Sequence, residues 1–534
     1  MMWEEALPWI GVSVVAGACL YWLQGVATKP KLVYQQNDDN ERLLERLSLL
    51  KQRYWPTFWL ANGHVSTAFS SLEVGAPEIN FERESVPAKA LRSTRHDGVL
   101  VLDWAHPKVD SHGCDGTKLE AAPIVVLCHG LTGDSNASYV RTVTKKLTDS
   151  GYRVCVLNAR GNAVNTLHTP QFHNASNSDD LRVTLHRARA RFPEAPLFAL
   201  GYSLGAAVVG NYVGEQCSLH AQCGVTAAAC LAPPVDMVAC SKFLHDNWLR
   251  RVSYSGHLAK ALVRMADHAS ELFDHSDATL RLTGTRRQES QKSLLAFDRH
   301  VTAPNGGFVS AGDYHRQASM ARNVPFISVP TLVLCADDDP VCDTRGILED
   351  DFTVSSRAIL ARTASGGHSM DWYPRCNHES LPVTGACDRR TGWRARDAWS
   401  ADVVCEFFDA VLEQEGSKPK PLVPLEATQL AWHLRSMRVL DADTDCDTDD
   451  DGCSGIVTDR DGRQYRLVPC HADSDANVSE NQEATTTAAA VSDENHLEAG
   501  ATCDVEELTR ACSQLSSASD ELRQELLASS TVSN

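Results

Sequence analysis

Residues 197–215 read LFALGYSLGAAVVGNYVGE. The apolar run 197–200 has strand character and leads into Gly201-Tyr202-Ser203-Leu204-Gly205, after which small and apolar residues suit a helix. Glycines on both sides of a serine, between a strand and a helix, leave room for the tight turn that lifts a serine hydroxyl above a sheet. The same alternation spreads outward. Short apolar runs at 99–104, 124–128, 154–157, 225–231 and 332–335 are separated by helical stretches such as 139–150 and 179–192. This pattern predicts βα units and a mostly parallel sheet covered on both faces, an α/β fold. Across 236–325 the alternation stops, and helical stretches at 243–264 and 266–272 predict an inserted cap dividing a core of 96–235 and 326–415.

A serine hydroxyl attacks only when a base takes its proton, so Ser203 requires an imidazole and an orienting carboxylate later in the chain. The run 332–335 leads into Asp337-Asp338-Asp339-Pro340, which sets acids at the C-terminal edge of the sheet. Asp339, just before the proline, is the expected orienter, with Asp338 next. Ser365-Gly366-Gly367-His368 follows about thirty residues on and makes His368 the expected base, with His129, His168 and His378 as rivals. Acyl transfer also needs donors aimed at a developing oxyanion. His129-Gly130-Leu131-Thr132-Gly133 follows an early strand, and the backbone N–H groups of Leu131 and Leu204 are the expected oxyanion hole.

The chain has 534 residues and a formal net charge of −19. The segment 441–534 holds 22 acidic residues against 5 arginines and no lysine, so it carries −17 and the rest of the chain is near neutral. With no basic stripe there is no basis for nucleic-acid binding. The 18 cysteines include no CxxC pair, so neither a metal site nor a disulfide scaffold is expected, and no glycine-rich loop or metal spacing implies a cofactor. Residues 7–27, LPWIGVSVVAGACLYWLQGVA, carry no charge and are long enough to cross a bilayer. Lys29, Lys31, Arg42, Arg46 and Arg53 follow this stretch, which predicts a single-pass anchor in the endoplasmic reticulum or another internal membrane with a cytosolic body. Residues 28–95 read as an extension packing on the body, and 416–534 as an acidic, largely disordered tail. Within the tail, Asp461-Gly462 suggests a hairpin, and a helix with one apolar stripe is expected at 504–528, a possible protein-binding element. Two weaker patterns read as coincidence. His129-x4-Asp134 has a spacing seen in acyltransferases, and Asp447-x-Asp449-x-Asp451-Gly452 is half of a calcium loop.

Taken together these stretches resemble the AB hydrolase family four branch of the α/β-hydrolase superfamily, which includes membrane-anchored animal lipases and plant and bacterial esterases. The resemblance rests on Trp55-Pro56-Thr57, Asn62-Gly63-His64, Leu102-Asp103-Trp104, the HGLTG run from His129, Asn158-Ala159-Arg160-Gly161 and the GYSLG run from Gly201. It continues through Gly307-Phe308 with Tyr314, Asp338-Asp339-Pro340 and Gly366-Gly367-His368, covering about 54–408. It implies a Ser203/Asp339/His368 triad, an N-terminal anchor and carboxylic-ester substrates, foremost phospholipids or acylglycerols. Ala206 stands where the family pattern suggests glycine, and 371–396 reads as an insertion beside the histidine loop. An acyltransferase on the same fold and a catalytically silent anchored scaffold are the alternatives.

Overall fold

The computed structural model describes residue 17, then 20–425 apart from 58–59, 71–75, 89–90, 92–96, 108–119, 163, 166–168, 170–171, 219–222, 269–283 and 369–397. It also describes residues 428, 437–441, 455–458 and 464–469. The chain divides into two compact units. The first is residues 1–90 with 94–423, and the second is 91–93 with 424–534.

The first unit is built on a sheet of nine strands. They are β1 (Lys31–Val33), β2 (Glu82–Ala88), β3 (Gly98–Ala105), β4 (Ile124–Cys128), β5 (Arg153–Asn158), β6 (Leu197–Tyr202), β7 (Ala227–Leu231), β8 (Thr331–Ala336) and β9 (Ala358–Thr363). Their order is β1-β9-β8-β7-β6-β4-β5-β3-β2. From β9 to β5 all neighbours are parallel, and the central strands are buried at every position, which is why they read as unbroken apolar runs. The run at 99–104 is a strand but not a parallel one: β3 pairs antiparallel with both β5 and β2. The edge strands β1 and β2 escape sequence reading because their exposed positions interrupt the apolar pattern.

Register sets the functional edge. Cys128 of β4 is level with both Leu157 of β5 and Gly201 of β6, so the loops after these strands leave the sheet side by side. Ala336 of β8 is likewise level with Thr363 of β9, which brings the acidic turn beside the histidine loop.

Helices cover the faces. We number α1 (Asp38–Arg46), α2 (Gly63–Ser70), α3 (Ser138–Asp149), α4 (Asp179–Arg191) and α5 (Leu204–Ser218). α5 is buried from Leu204 to Cys217, as a helix beneath the centre of a sheet must be. In the extension before β2, Leu43, Leu44, Leu47, Leu50 and Tyr54 join the main core, where the Tyr54 ring lies 4.7 Å from that of Trp399.

The cap leaves between β7 and β8. It includes α6 (Met237–Asp246), a short turn Trp248–Arg250, a wide turn Arg251–Ser255, α7 (Gly256–His268) and α8 (Ala311–Ala318). The single helix expected at 243–264 is therefore interrupted. Asn247 is extended and its side chain accepts from Arg250 N, which restarts the helix. Much of the stretch expected at 266–272 lies outside the described residues. The first unit ends with α9 (Trp399–Glu415) and a short run in which the Val423 carbonyl accepts from His186 Nε2 at 2.9 Å. Residues 417–423, read from sequence as tail, thus belong with the body.

The second unit holds a three-stranded antiparallel sheet of β10 (Met437–Asp441), β11 (Gly455–Thr458) and β12 (Gln464–Pro469), in the order β10-β12-β11. β11 and β12 form the expected hairpin. Beyond Pro424 the sequence reads as a short helical run before the acidic tail, and β10 corrects this: the run with Val439 and Leu440 is a strand with its partner in the hairpin. The calcium-like run 447–452, the helix expected at 504–528 and the insertion 371–396 lie outside the described residues. Most of the expected anchor does too. Among the described residues no helix is long and apolar enough to cross a membrane.

Candidate active site

Ser203 follows β6 directly and has φ +50°, a left-handed conformation that a side chain adopts only when its surroundings impose it. Its N–H donates to the Leu231 carbonyl at 2.8 Å, extending the β6–β7 ladder, while its own carbonyl accepts from Ala206 and Ala207 as α5 begins. The flanking glycines are needed for contact. A Cβ on Gly205 would strike the Cys128 and His129 carbonyls, and one on Gly201 would strike the backbone of Gly205 and Ala206. Ala206 is thus accommodated where the family pattern suggests glycine, fully buried within α5.

His368 and Asp339 come together. Nδ1 of His368 lies 2.8 Å from Oδ2 of Asp339, with the carboxylate side chain 1% exposed and the imidazole 20%. The other carboxylate oxygen accepts from the N–H groups of Val341 at 2.7 Å and Cys342 at 3.0 Å, which fixes its plane. Asp338 has a different task. Its Oδ1 accepts from Gly367 N at 2.8 Å, and burial pushes its carboxyl up to about 6.

The sequence reading missed what holds the histidine loop from outside. The Thr67 hydroxyl accepts from His368 N at 2.9 Å, and the Ser66 hydroxyl donates to the Gly366 carbonyl at 2.9 Å. Both residues belong to α2, whose start is Asn62-Gly63-His64. Asn62 Oδ1 accepts from His64 N, and Gly63 lies so close to the Asp338 backbone that a Cβ there would collide. The signal was present in the family stretch, but no rule of spacing gives it a role.

Among the rivals, His129 is fully buried, which pushes its imidazole down. Its Nδ1 lies 2.8 Å from the Gly130 carbonyl, and its Nε2 accepts from Ala159 N at 3.0 Å and faces Asn162 Nδ2 at 3.1 Å. Nδ1 therefore carries the proton, and the ring ties the HG turn to the loop after β5. With both nitrogens engaged, it has no free position for proton transfer. His168 and His378 lie outside the described residues.

Leu131 and Leu204 are the expected donors to the oxyanion, and both belong to turns at the sheet edge near Ser203. A Cβ on Gly130 would be 3.2 Å from Ser203 Cβ, so the turn carrying Leu131 passes over the serine. Leu204 opens α5, where a helix leaves its first N–H groups without intrahelical acceptors and favours negative charge. The Leu131 side chain packs on two apolar clusters, one with Leu262, Val263 and Phe297 of the cap, the other with Leu204, Ala303 and Tyr314.

Asp339, Cys342 and His368 offer a carboxylate oxygen, a thiol and a ring nitrogen within 4.8 Å of one another, the spacing a metal ion would need. The Cys342 thiol is pushed well up by its hydrogen bond with the Cys240 thiol and by burial, so it is protonated at neutral pH and a poor ligand there.

A family profile described as serine aminopeptidase, S33, matches residues 120–382. Phospholipase ABHD3 of Mus musculus is 27% identical over 67% of this chain and 84% of its own length. Embryogenesis-associated protein EMB8 of Picea glauca is 26% identical over 71% and 77%, and the monoacylglycerol lipase of Saccharomyces cerevisiae is 29% identical over 56% and 62%. The strand order, the serine turn and these likenesses define an α/β-hydrolase. These likenesses support an AB hydrolase family member, and the chain is a carboxylic ester hydrolase by class.

Proposed function

We propose that this protein is a membrane-anchored hydrolase of lipid esters, a phospholipase or acylglycerol lipase, working through Ser203, His368 and Asp339. Ser203 Oγ attacks the ester carbonyl and His368 takes its proton, then returns it to the leaving alcohol. Asp339 holds the proton of the imidazole on Nδ1 and stabilises the imidazolium as it forms. The N–H groups of Leu131 and Leu204 receive the oxyanion, an interaction worth ~3 kcal/mol per donor. Water then repeats the attack on the acyl-enzyme and releases the acid.

The 2.8 Å contact between His368 and a buried Asp339, after a strand two along the sheet from the one that ends at the Ser203 turn, is the observation that carries this reading. The lipid part is supported by the apolar side chains around Leu131 and by the names of the relatives. The uncharged stretch 7–27, with Lys29, Lys31, Arg42, Arg46 and Arg53 following it, supports a single-pass anchor with the body on the cytosolic side.

A fluorophosphonate probe tests the chemistry. Applied to membranes holding the full chain, it should label wild type and fail with Ser203→Ala and His368→Ala. Folded wild type that stays unlabelled beside a reactive control hydrolase would leave the triad without support and favour the silent scaffold.

A further inference from the structure

Among the described residues, the cap carries an exposed apolar group. Trp248 is 69% exposed, Leu249 51% and Val252 55%, all within one turn and a half of chain between α6 and α7. Basic side chains are interleaved with them: Arg250 stacks its guanidinium 3.6 Å over the Phe243 ring, and Lys242 and Arg251 lie to either side in sequence. An aromatic, aliphatic side chains and arginines in one short segment are what the boundary between hydrocarbon and anionic headgroups accepts.

Its place in the fold is the second observation. Tyr254, two residues beyond Val252, lies 2.9 Å through its hydroxyl from His64 Nδ1. His64 begins α2, the helix that holds Gly366 and His368. On the other side of that loop, Ser365 Oγ donates to the Val26 carbonyl, where the uncharged stretch 7–27 meets the body. Val26 and Ala27 are buried there, Arg53 donates to the Leu23 and Ala27 carbonyls, and Tyr21 and Leu23 stay exposed. The cap segment and the end of the apolar stretch therefore flank the same histidine loop.

We propose that the face of Trp248, Leu249 and Val252 seats on the bilayer that the stretch 7–27 enters, so that the catalytic rim faces the lipid surface. The inference rests on the lipid-ester reading above. A bilayer fits better than a protein partner because the segment is tied by hydrogen bonds, through Tyr254, α2 and the histidine loop, to the end of the uncharged stretch 7–27, and because its basic neighbours match anionic headgroups.

The test uses the full chain reconstituted into vesicles of phosphatidylcholine and phosphatidylserine. Methylumbelliferyl oleate dissolved in the bilayer is compared with methylumbelliferyl butyrate in water and with the oleate ester in detergent micelles. Changing Trp248, Leu249 and Val252 together to serine should lower turnover of the bilayer ester about tenfold or more, with the butyrate and micellar rates little changed. Lys242→Gln with Arg251→Gln should weaken the preference for phosphatidylserine vesicles by about fivefold per residue at low salt. The control Phe326→Ser with Val354→Ser removes equally exposed apolar side chains near the starts of β8 and β9, the opposite sheet edge, and should leave all rates alone.

An unchanged bilayer rate in the triple variant overturns the docking face while leaving the hydrolase reading intact. A loss of butyrate turnover or fluorophosphonate labelling in that variant overturns it also, since the segment would then act inside the active site. A change in oligomeric state with no change at the bilayer assigns the face to a second copy instead. Wild type inactive on all three substrates would defeat the underlying ester reading.

Discussion

Two adjacent aspartates divide the labour beside His368, and their surroundings differ. Asp339 has two backbone N–H donors on one oxygen and an imidazole on the other. Asp338 is largely buried, and although backbone N–H groups of Gly367 and Gly63 face its carboxyl, burial outweighs them and raises it from 3.8 to about 6. A group whose proton is held more tightly in the folded state stabilises the fold at low pH and loses that contribution as pH climbs through the folded value. Wild type should therefore lose stability relative to Asp338→Asn between about pH 4 and pH 6, the gap reaching ~3 kcal/mol at neutral pH. The asparagine keeps an acceptor for Gly367 N and does not titrate. Thermal unfolding of both proteins across that range checks it, and parallel curves would remove the burial argument. The choice between these two acids was open from sequence, because adjacent residues on a turn differ only in which way each side chain points.

At the scale of elements, α2 is the part whose purpose the sequence did not disclose. It binds no substrate group in the proposed mechanism, yet two of its hydroxyls fix the backbone of the histidine loop. Thr67→Val keeps the volume and leaves the His368 N–H without its acceptor, a loss of about 1–3 kcal/mol of positioning. Turnover of a soluble ester should fall roughly tenfold through kcat, with KM nearly unchanged and Ser203 still labelled, more slowly. Equal rates for the variant would mean that Asp338 and Asp339 suffice to hold the loop. The strands were far more legible. Runs such as 124–128 and 197–200 are buried on both faces and so carry their structure in composition alone. β1 and β2 pair at the sheet margins with exposed positions that interrupt the apolar pattern, and the partner of β1 is distant in sequence besides. The break at Asn247 was hidden for another reason: amphipathic spacing continues through it, and only the cap hydrogen bond to Arg250 N marks a new start.

For the whole molecule, the site belongs entirely to the first compact unit, which ends at Val423. Leu422 pairs with Cys223, and Val423 accepts from His186, so a cut at 416 would strip contacts that a cut after 423 preserves. Truncation after Val423 should keep soluble-ester turnover and thermal stability close to those of the full chain, measured side by side. A large drop in either would assign the acidic segment a part in the catalytic body. The chain order of the serine turn, the acidic turn and the histidine loop, and the break in alternation between β7 and β8, were readable because each follows an apolar strand or interrupts the strand pattern. What the cap exposes and what α2 grips depend on which surfaces meet, and those are properties of the folded body.

The pairing of β1 with β9 sets a timetable as well as a topology. Lys31 sits opposite Arg362, so the strand just beyond the apolar stretch has no partner until almost the whole catalytic body has been synthesised. At about 5–20 residues per second, a ribosome needs roughly 15–70 s to travel that distance. The segment that would reach the membrane first is thus joined to the sheet last, at the strand that leads into His368. Assembly of the proton relay and closure of the sheet edge become one late event, and a nascent chain halted before residue 363 would hold its serine turn complete and its histidine not yet made.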